Sequence, residues 1–272
     1  MAYREWGDPD NDRVLICVHG LLRVSNDFDA LAQALASDYR VVCPDVVGRG
    51  RSSWLRDPML YQVPTYVADM VALIARLDAK TVHWFGTSMG GLIGMVLASL
   101  SDTPIQRMVI NDAGPMLGAA ALARIGTYVG ETPRFATIEA AESYIRRISA
   151  PFGEHTDAEW RVLTELVMKK DGDLWMRSHD PAIAVPFVAA QGNASQGNGP
   201  QGNTSLWHIY DAIRCPVLAV RGERSDLVSR ETHDEMATRG PKAELATFAD
   251  VGHAPTFMHA DQIAVARNFL LR

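Results

Sequence analysis

Short apolar runs alternate with longer stretches whose apolar residues recur every three or four positions, and this alternation organises most of the chain. After its first residue, Arg13 to Val18 is unbroken apolar, the pattern of a strand buried on both faces. Tyr39 to Cys43, Thr81 to Phe85, Ile105 to Asn111, Val217 to Gly222 and Ala243 to Phe248 repeat it, rich in β-branched and aromatic residues. Ala2 to Trp6 reads as an edge strand. Between the strands, Phe28, Leu31 and Leu35 mark a helix that Ser25 or Asn26 can cap. Thr65 to Leu77 is a second amphipathic helix, and Met89, Leu92, Ile93, Val96, Leu97 and Leu100 outline a third. Ser229 can cap a helix through Arg239, and Asp261 to Leu271 forms a closing one. Strand, helix and strand at short intervals predict an α/β fold: a mostly parallel, doubly wound sheet with helices on both faces.

The rhythm stops after Asp112. From Ala113 to Trp207 the periodicity is helical, with segments near Ala119–Tyr128, Ile138–Ile148 and Asp157–Lys169 and no buried strand. The pattern predicts a helical cap inserted into the core, dividing the chain into 1–112, 113–206 and 207–272. Inside the insertion, Gln191-Gly192-Asn193 recurs from Gln196 and again from Gln201. Such composition cannot bury a core, and a mobile loop without chemistry is expected there.

In sheets of this kind ligands bind beyond the carboxyl ends of the strands, and His19, Asp45, Ser88 and Asp112 each follow a predicted strand end. Ser88 stands apart. It is the centre of Gly86-Thr87-Ser88-Met89-Gly90, a G-x-S-x-G pattern between a strand and a helix. A serine at such a turn is held in a strained conformation with its hydroxyl clear of the sheet, and residues two before and two after must be small. The turn also sets Ser88 at a helix N-terminus, where free amides favour developing negative charge.

Composition narrows the rest. A net charge of −6 and a pI near 5.7 leave no basic footprint for nucleic acid. Cys17, Cys43 and Cys215 sit in or beside apolar runs and read as buried reduced thiols, which points to a cytoplasmic protein. No apolar run is long enough for a membrane span. The histidines lack ligand spacing, so no metal is expected.

These residues together resemble the α/β-hydrolase superfamily: an elbow serine, a His-Gly turn after an early strand, an Asp after a late strand and Gly252-His253 after the last. The resemblance covers nearly the whole chain, although the family adds one more edge strand than the pattern shows. It implies Ser88 as nucleophile, His253 as general base and then acid, and Asp226 as the carboxylate that holds the imidazole. Asp112, after an earlier strand, is the alternative acid that some members use. The backbone amides of Leu21 and Met89 would form the oxyanion hole. His19, and Asp45 with Gly48 and Gly50, read as loop architecture. Leu22, Trp54, Met116 and Trp207 are candidates for the pocket, with Trp175 and Phe187 as further lid residues. The expected partner is a small-molecule acyl substrate, without cofactor, nucleic acid or membrane. The implied activity is hydrolysis of a small or medium carboxylic ester through an acyl-enzyme. Serine at the elbow argues against the dehalogenase and epoxide hydrolase branches, which place Asp there. A C–C bond hydrolase or enol-lactonase would use the same three side chains, and a non-turning binder could keep the same scaffold.

Overall fold

The computed structural model describes residues 1–195 and 204–272. In chain order the core opens with β1 (Tyr3–Trp6), β2 (Val14–Val18), α1 (Asp29–Leu35), β3 (Arg40–Pro44), α2 (Val63–Arg76), β4 (Val82–Thr87), α3 (Met89–Ala98) and β5 (Ile105–Asn111). The insertion then supplies β6 (Met116–Leu117), α4 (Ala119–Tyr128), β7 (Arg134–Phe135), α5 (Ile138–Ile148), α6 (Asp157–Val167), β8 (Met168–Asp171), β9 (Leu174–Arg177), α7 (Ala184–Ser195) and β10 (Thr204–Ser205). The core resumes with α8 (Trp207–Tyr210), β11 (Val217–Gly222), α9 (Arg230–Met236), β12 (Glu244–Phe248) and α10 (Ala260–Leu270).

The core sheet has seven strands in the order β1-β3-β2-β4-β5-β11-β12. Every pairing is parallel except β1 with β3, so the edge strand runs against the rest. Alternation along the strands sends side chains to two separate cores. Ile16, Val18, Trp84, Met108, Ile110 and Ala219 face α2 and α3 with Met70, Leu73 and Ile93. Leu15, Cys17, Phe85, Val109 and Val220 face α1 and α10 with Leu31, Leu35, Phe269 and Leu270. Burial on both faces is what forces the continuous apolar runs of β2 and β4. All three cysteines are free thiols, Cys17 and Cys43 fully buried. Among the described residues no helix is long and apolar enough to cross a membrane.

The insertion departs from the all-helical expectation. α4 and α5 span the predicted residues, but α6 ends at Val167 and the chain turns into a hairpin. β8 and β9 pair antiparallel with Asp171 opposite Leu174, and β7 adds a third strand on β9. The turn is Gly172-Asp173, with Gly172 at φ +61°, a two-residue connection that favours hairpins. The Gln-Gly-Asn repeat begins inside α7, which runs to Ser195, and residues 196–203 lie outside the described residues.

Candidate active site

Ser88 takes φ +52° and ψ −114° between β4 and α3, a left-handed region that a non-glycine residue occupies only when its surroundings impose it. Those surroundings are backbone. A Cβ on residue 86 would stand 2.2 Å from the Gly90 carbonyl oxygen, and one on residue 90 would stand 2.0 Å from that of Val18. Only glycine permits the turn to close this tightly against β2. The Ser88 amide donates to the Asn111 carbonyl at 2.8 Å, and the Ser88 carbonyl accepts from Gly91 and Leu92 as α3 begins. Asn111 in turn donates from Nδ2 to Thr87 Oγ1 and to the Pro255 carbonyl at 2.8 Å, tying β4 and β5 to the segment that follows His253.

Ser88 and His253 line the same cavity of about 110 Å³, together with Leu21, Leu22 and the cap residues Arg124, Ile125, Tyr128 and Arg177. The imidazole is oriented from behind. His253 Nδ1 lies 2.7 Å from Asp112 Oδ2, and a carboxylate can only accept, so Nδ1 carries the proton and Nε2 is left as the basic nitrogen. Asp112 is fully buried at the end of β5, with φ +47°. Its carboxylate also accepts from the Gly222 amide at 3.2 Å and the Ser225 hydroxyl at 2.8 Å, which fix it in place.

Asp226 is elsewhere. Both of its oxygens accept from Arg124 of α4, at 2.6 and 2.8 Å, and its side chain is 43% exposed. Burial alone would raise its pKa, but the Arg124 hydrogen bonds and charge bring it below the usual carboxylate range. The expectation that Asp226 holds the imidazole is therefore corrected in favour of Asp112. β5 is the immediate neighbour of β4, and β11, which leads to Asp226, lies one strand further away, where Arg124 takes up both oxygens of Asp226. Ser225, beside Asp226, serves the other carboxylate.

The early loops are architecture. His19 is fully buried; its Nε2 accepts from the Val46 amide at 3.0 Å and its Nδ1 donates to the Gly20 carbonyl at 2.7 Å. Burial drives its pKa down to about 4, with Arg49 adding to the fall, so the ring is neutral. Asp45 accepts from the amides of Ser25 and Arg51 at 2.8 and 3.0 Å, bracing the loop that follows β3. Arg49, also fully buried, donates to the Leu21 carbonyl at 2.8 Å and reaches the Met89 sulfur at 3.7 Å.

The pocket candidates divide. Leu22 lines the cavity, but Trp54 is 46% exposed under the ammonium of Lys169, and Trp207 packs on Tyr210 beneath Arg239. Met116 lies in β6 against β10, and Trp175 carries Lys170 over its ring; neither joins the lining, nor does Phe187. The sequence reading missed Arg124, Tyr128, Phe152, Leu163 and Arg177, which the cap brings to the lining. Helical spacing marks α4, with Arg124 and Tyr128, and α6, with Leu163, but not which way each faces once the cap is folded, and Phe152 and Arg177 lie outside these helices. Among the described residues no group of three or more His, Cys, Asp or Glu side chains could hold a metal.

A family model described as the alpha/beta hydrolase fold matches residues 13–260. The chain is 52% identical over 273 residues to the 3-hydroxybutyrate-oligomer hydrolase of Cupriavidus necator, covering 99% of this chain and 92% of that one. Among solved structures, an alpha/beta hydrolase from Novosphingobium aromaticivorans superposes with a TM-score of 0.87 at 34% identity, covering 99% and 93% of the two chains. A structure from Rickettsia typhi gives 0.90 at 31% identity, covering 99% and 90%.

Proposed function

Because this chain belongs to the α/β-hydrolase family and is a carboxylic ester hydrolase, we propose that Ser88, His253 and Asp112 carry its chemistry. The observation that supports this most directly is the shared cavity: a serine at a strained elbow and an imidazole whose rear nitrogen, Nδ1, is bonded to a buried carboxylate line the same space. His253 Nε2 takes the Ser88 proton as the oxygen attacks the ester carbonyl, and Asp112 stabilises the imidazolium that forms. The proton then passes to the departing alcohol, leaving an acyl-enzyme. Water, activated by the same nitrogen, attacks the acyl-enzyme and releases the acid.

The oxyanion falls to the amides of Met89 and Leu21. Met89 opens α3, where amides lack helical partners. For Leu21, the Gly20 carbonyl is tied back by His19, and in a planar trans peptide the Leu21 N–H then points the opposite way. The nearly full-length relationship to a 3-hydroxybutyrate-oligomer hydrolase supports short hydroxyacid esters as the substrate class, in preference to C–C cleavage or binding without turnover. The free thiols of Cys17 and Cys43 support a reducing, cytoplasmic setting.

A fluorophosphonate probe, with the modified residue mapped by mass spectrometry, tests the nucleophile. Labelling at Ser88, lost in Ser88→Ala together with ester turnover, is the expected result. Labelling elsewhere, or ester turnover surviving in Ser88→Ala, would sink the proposal.

A further inference from the structure

The hairpin that the sequence pattern did not foresee delivers one side chain with no counterpart in the mechanism. Arg177 ends β9 in the cap and lines the cavity that holds Ser88 and His253. It is 5% exposed, yet among the described residues no carboxylate lies within salt-bridge distance of it. Its one side-chain hydrogen bond there runs from a terminal nitrogen to the Tyr144 hydroxyl at 3.3 Å, and that hydroxyl itself donates to Glu131. Its Nε is buried without any partner.

The other cations of the cavity are already neutralised. Arg23 is held in a fork by Asp27 at 2.7 and 2.8 Å, and Arg124 by Asp226. Arg177 is left as an unneutralised charge, disfavoured first by burial and further by the nearby Arg23. A guanidinium in that state is costly to keep buried unless an anion reaches it. A planar fork with a free Nε fits one anion above others, a carboxylate accepting two parallel hydrogen bonds.

We infer that Arg177 is a specificity-determining residue that binds a free carboxylate on the ester substrate, so that the enzyme cleaves the ester bond nearest a charged chain end. This rests on the ester-hydrolase reading of the Ser88 cavity. A linear oligomer of a hydroxyacid presents such a carboxylate on its terminal unit, which departs as the alcohol. A half-ester of a dicarboxylic acid presents one on the acyl side instead. In either case the cap reads the charge while the core breaks the bond.

Two matched substrate pairs test the inference. The first is the linear dimer of 3-hydroxybutyrate and the same dimer with its carboxylate replaced by a primary amide. The second is a glutaric acid half-ester and the corresponding butyrate ester. In at least one pair the wild-type protein should show a kcat/KM about tenfold or more higher for the carboxylate, chiefly through KM. The favoured pair identifies the side of the ester that carries the charge. In Arg177→Met the ratio should fall to within about twofold, and Arg177→Lys should restore part of it. Lys170→Met, an exposed cap lysine over Trp175, should keep the wild-type ratio. Equal rates within both wild-type pairs, or an unchanged ratio in Arg177→Met, overturn the inference. Should Arg177→Met fail to fold, competitive inhibition of the wild type decides. Either 3-hydroxybutyrate binding about tenfold tighter than its amide, or glutarate about tenfold tighter than butyrate, supports the inference, and equal inhibition within both pairs overturns it. Failure of the underlying reading would look different, as loss of all ester turnover and of fluorophosphonate labelling.

Discussion

Two aspartates after two strands competed for one imidazole, and the structure separates them by their surroundings. Asp112 is sealed beneath His253 and bonded to Ser225, while Asp226 faces outward and is committed to Arg124. Asp112→Asn should therefore lower kcat by about 10³–10⁴-fold, because the amide favours the wrong tautomer of His253. Asp226→Asn should change kcat by about threefold or less, its exposed pair being worth little. Parallel steady-state kinetics on the two variants check this, and the reverse outcome would restore Asp226. The buried histidines set a second behaviour. His19 is neutral in the fold with a pKa lowered to about 4, and His179 is lowered to about 3, by burial first and by Arg177 next. A depressed histidine pKa means that the unfolded chain binds more protons, so stability is fully present above about pH 6.5 and declines as pH falls. His19 alone should remove about 2 kcal/mol by pH 5. Denaturant midpoints taken between pH 7.5 and 5 should show this loss, and His19→Gln should start less stable at pH 7.5 but fall less steeply on acidification.

At the scale of elements the sequence was most legible where burial on two faces leaves no freedom. The runs through Val14–Val18, Val82–Thr87 and Val217–Gly222 have only one way to be satisfied, and the elbow follows from what packs on it. Gly90→Ala would drive a methyl into the Val18 carbonyl, and Gly86→Ala would drive one into the Gly90 carbonyl. Because those obstacles are backbone, each substitution should cost about 2–3 kcal/mol or more and abolish Ser88 labelling, as read by urea midpoints and fluorophosphonate uptake. The β8–β9 hairpin escaped because Met168–Asp171 is mostly exposed and charged, so no apolar alternation marks it. Its remaining signal was Gly172-Asp173, two residues long between Asp171 and Leu174. Asp112 was legible as a candidate from its place after β5. What decided the matter was Arg124, a cap residue whose direction depends on contacts 102 residues apart in sequence.

Across the whole molecule the core and the cap meet along a seam built from specific bonds. The Gly118 amide donates to the Leu227 carbonyl, and the Gly252 amide donates to that of Pro151 at 2.7 Å. A third point is Asp180, three residues beyond Arg177. Its amide donates to the Gly48 carbonyl at 2.8 Å, and its carboxylate accepts from the Tyr61 hydroxyl at 2.6 Å and the Ala182 amide at 2.9 Å. Burial, joined by that acceptor, pushes the Tyr61 hydroxyl up to about 12. Removing the carboxylate would leave the hydroxyl without its acceptor and free the end of the strand that positions the cap's inner face. Asp180→Ala should therefore lower stability by about 1–3 kcal/mol. It should also raise KM for esters several-fold, about 3–10 times, by loosening contacts made before the chemical step. Ser88 lies between β4 and α3, and its turn is held by Gly86, Gly90, Val18 and Asn111, all of the core, so fluorophosphonate labelling of the folded variant should proceed at close to the wild-type rate. A variant that folds yet labels as slowly as His253→Ala would mean that the cap also shapes the nucleophile, and that the two parts do not divide recognition from bond breaking.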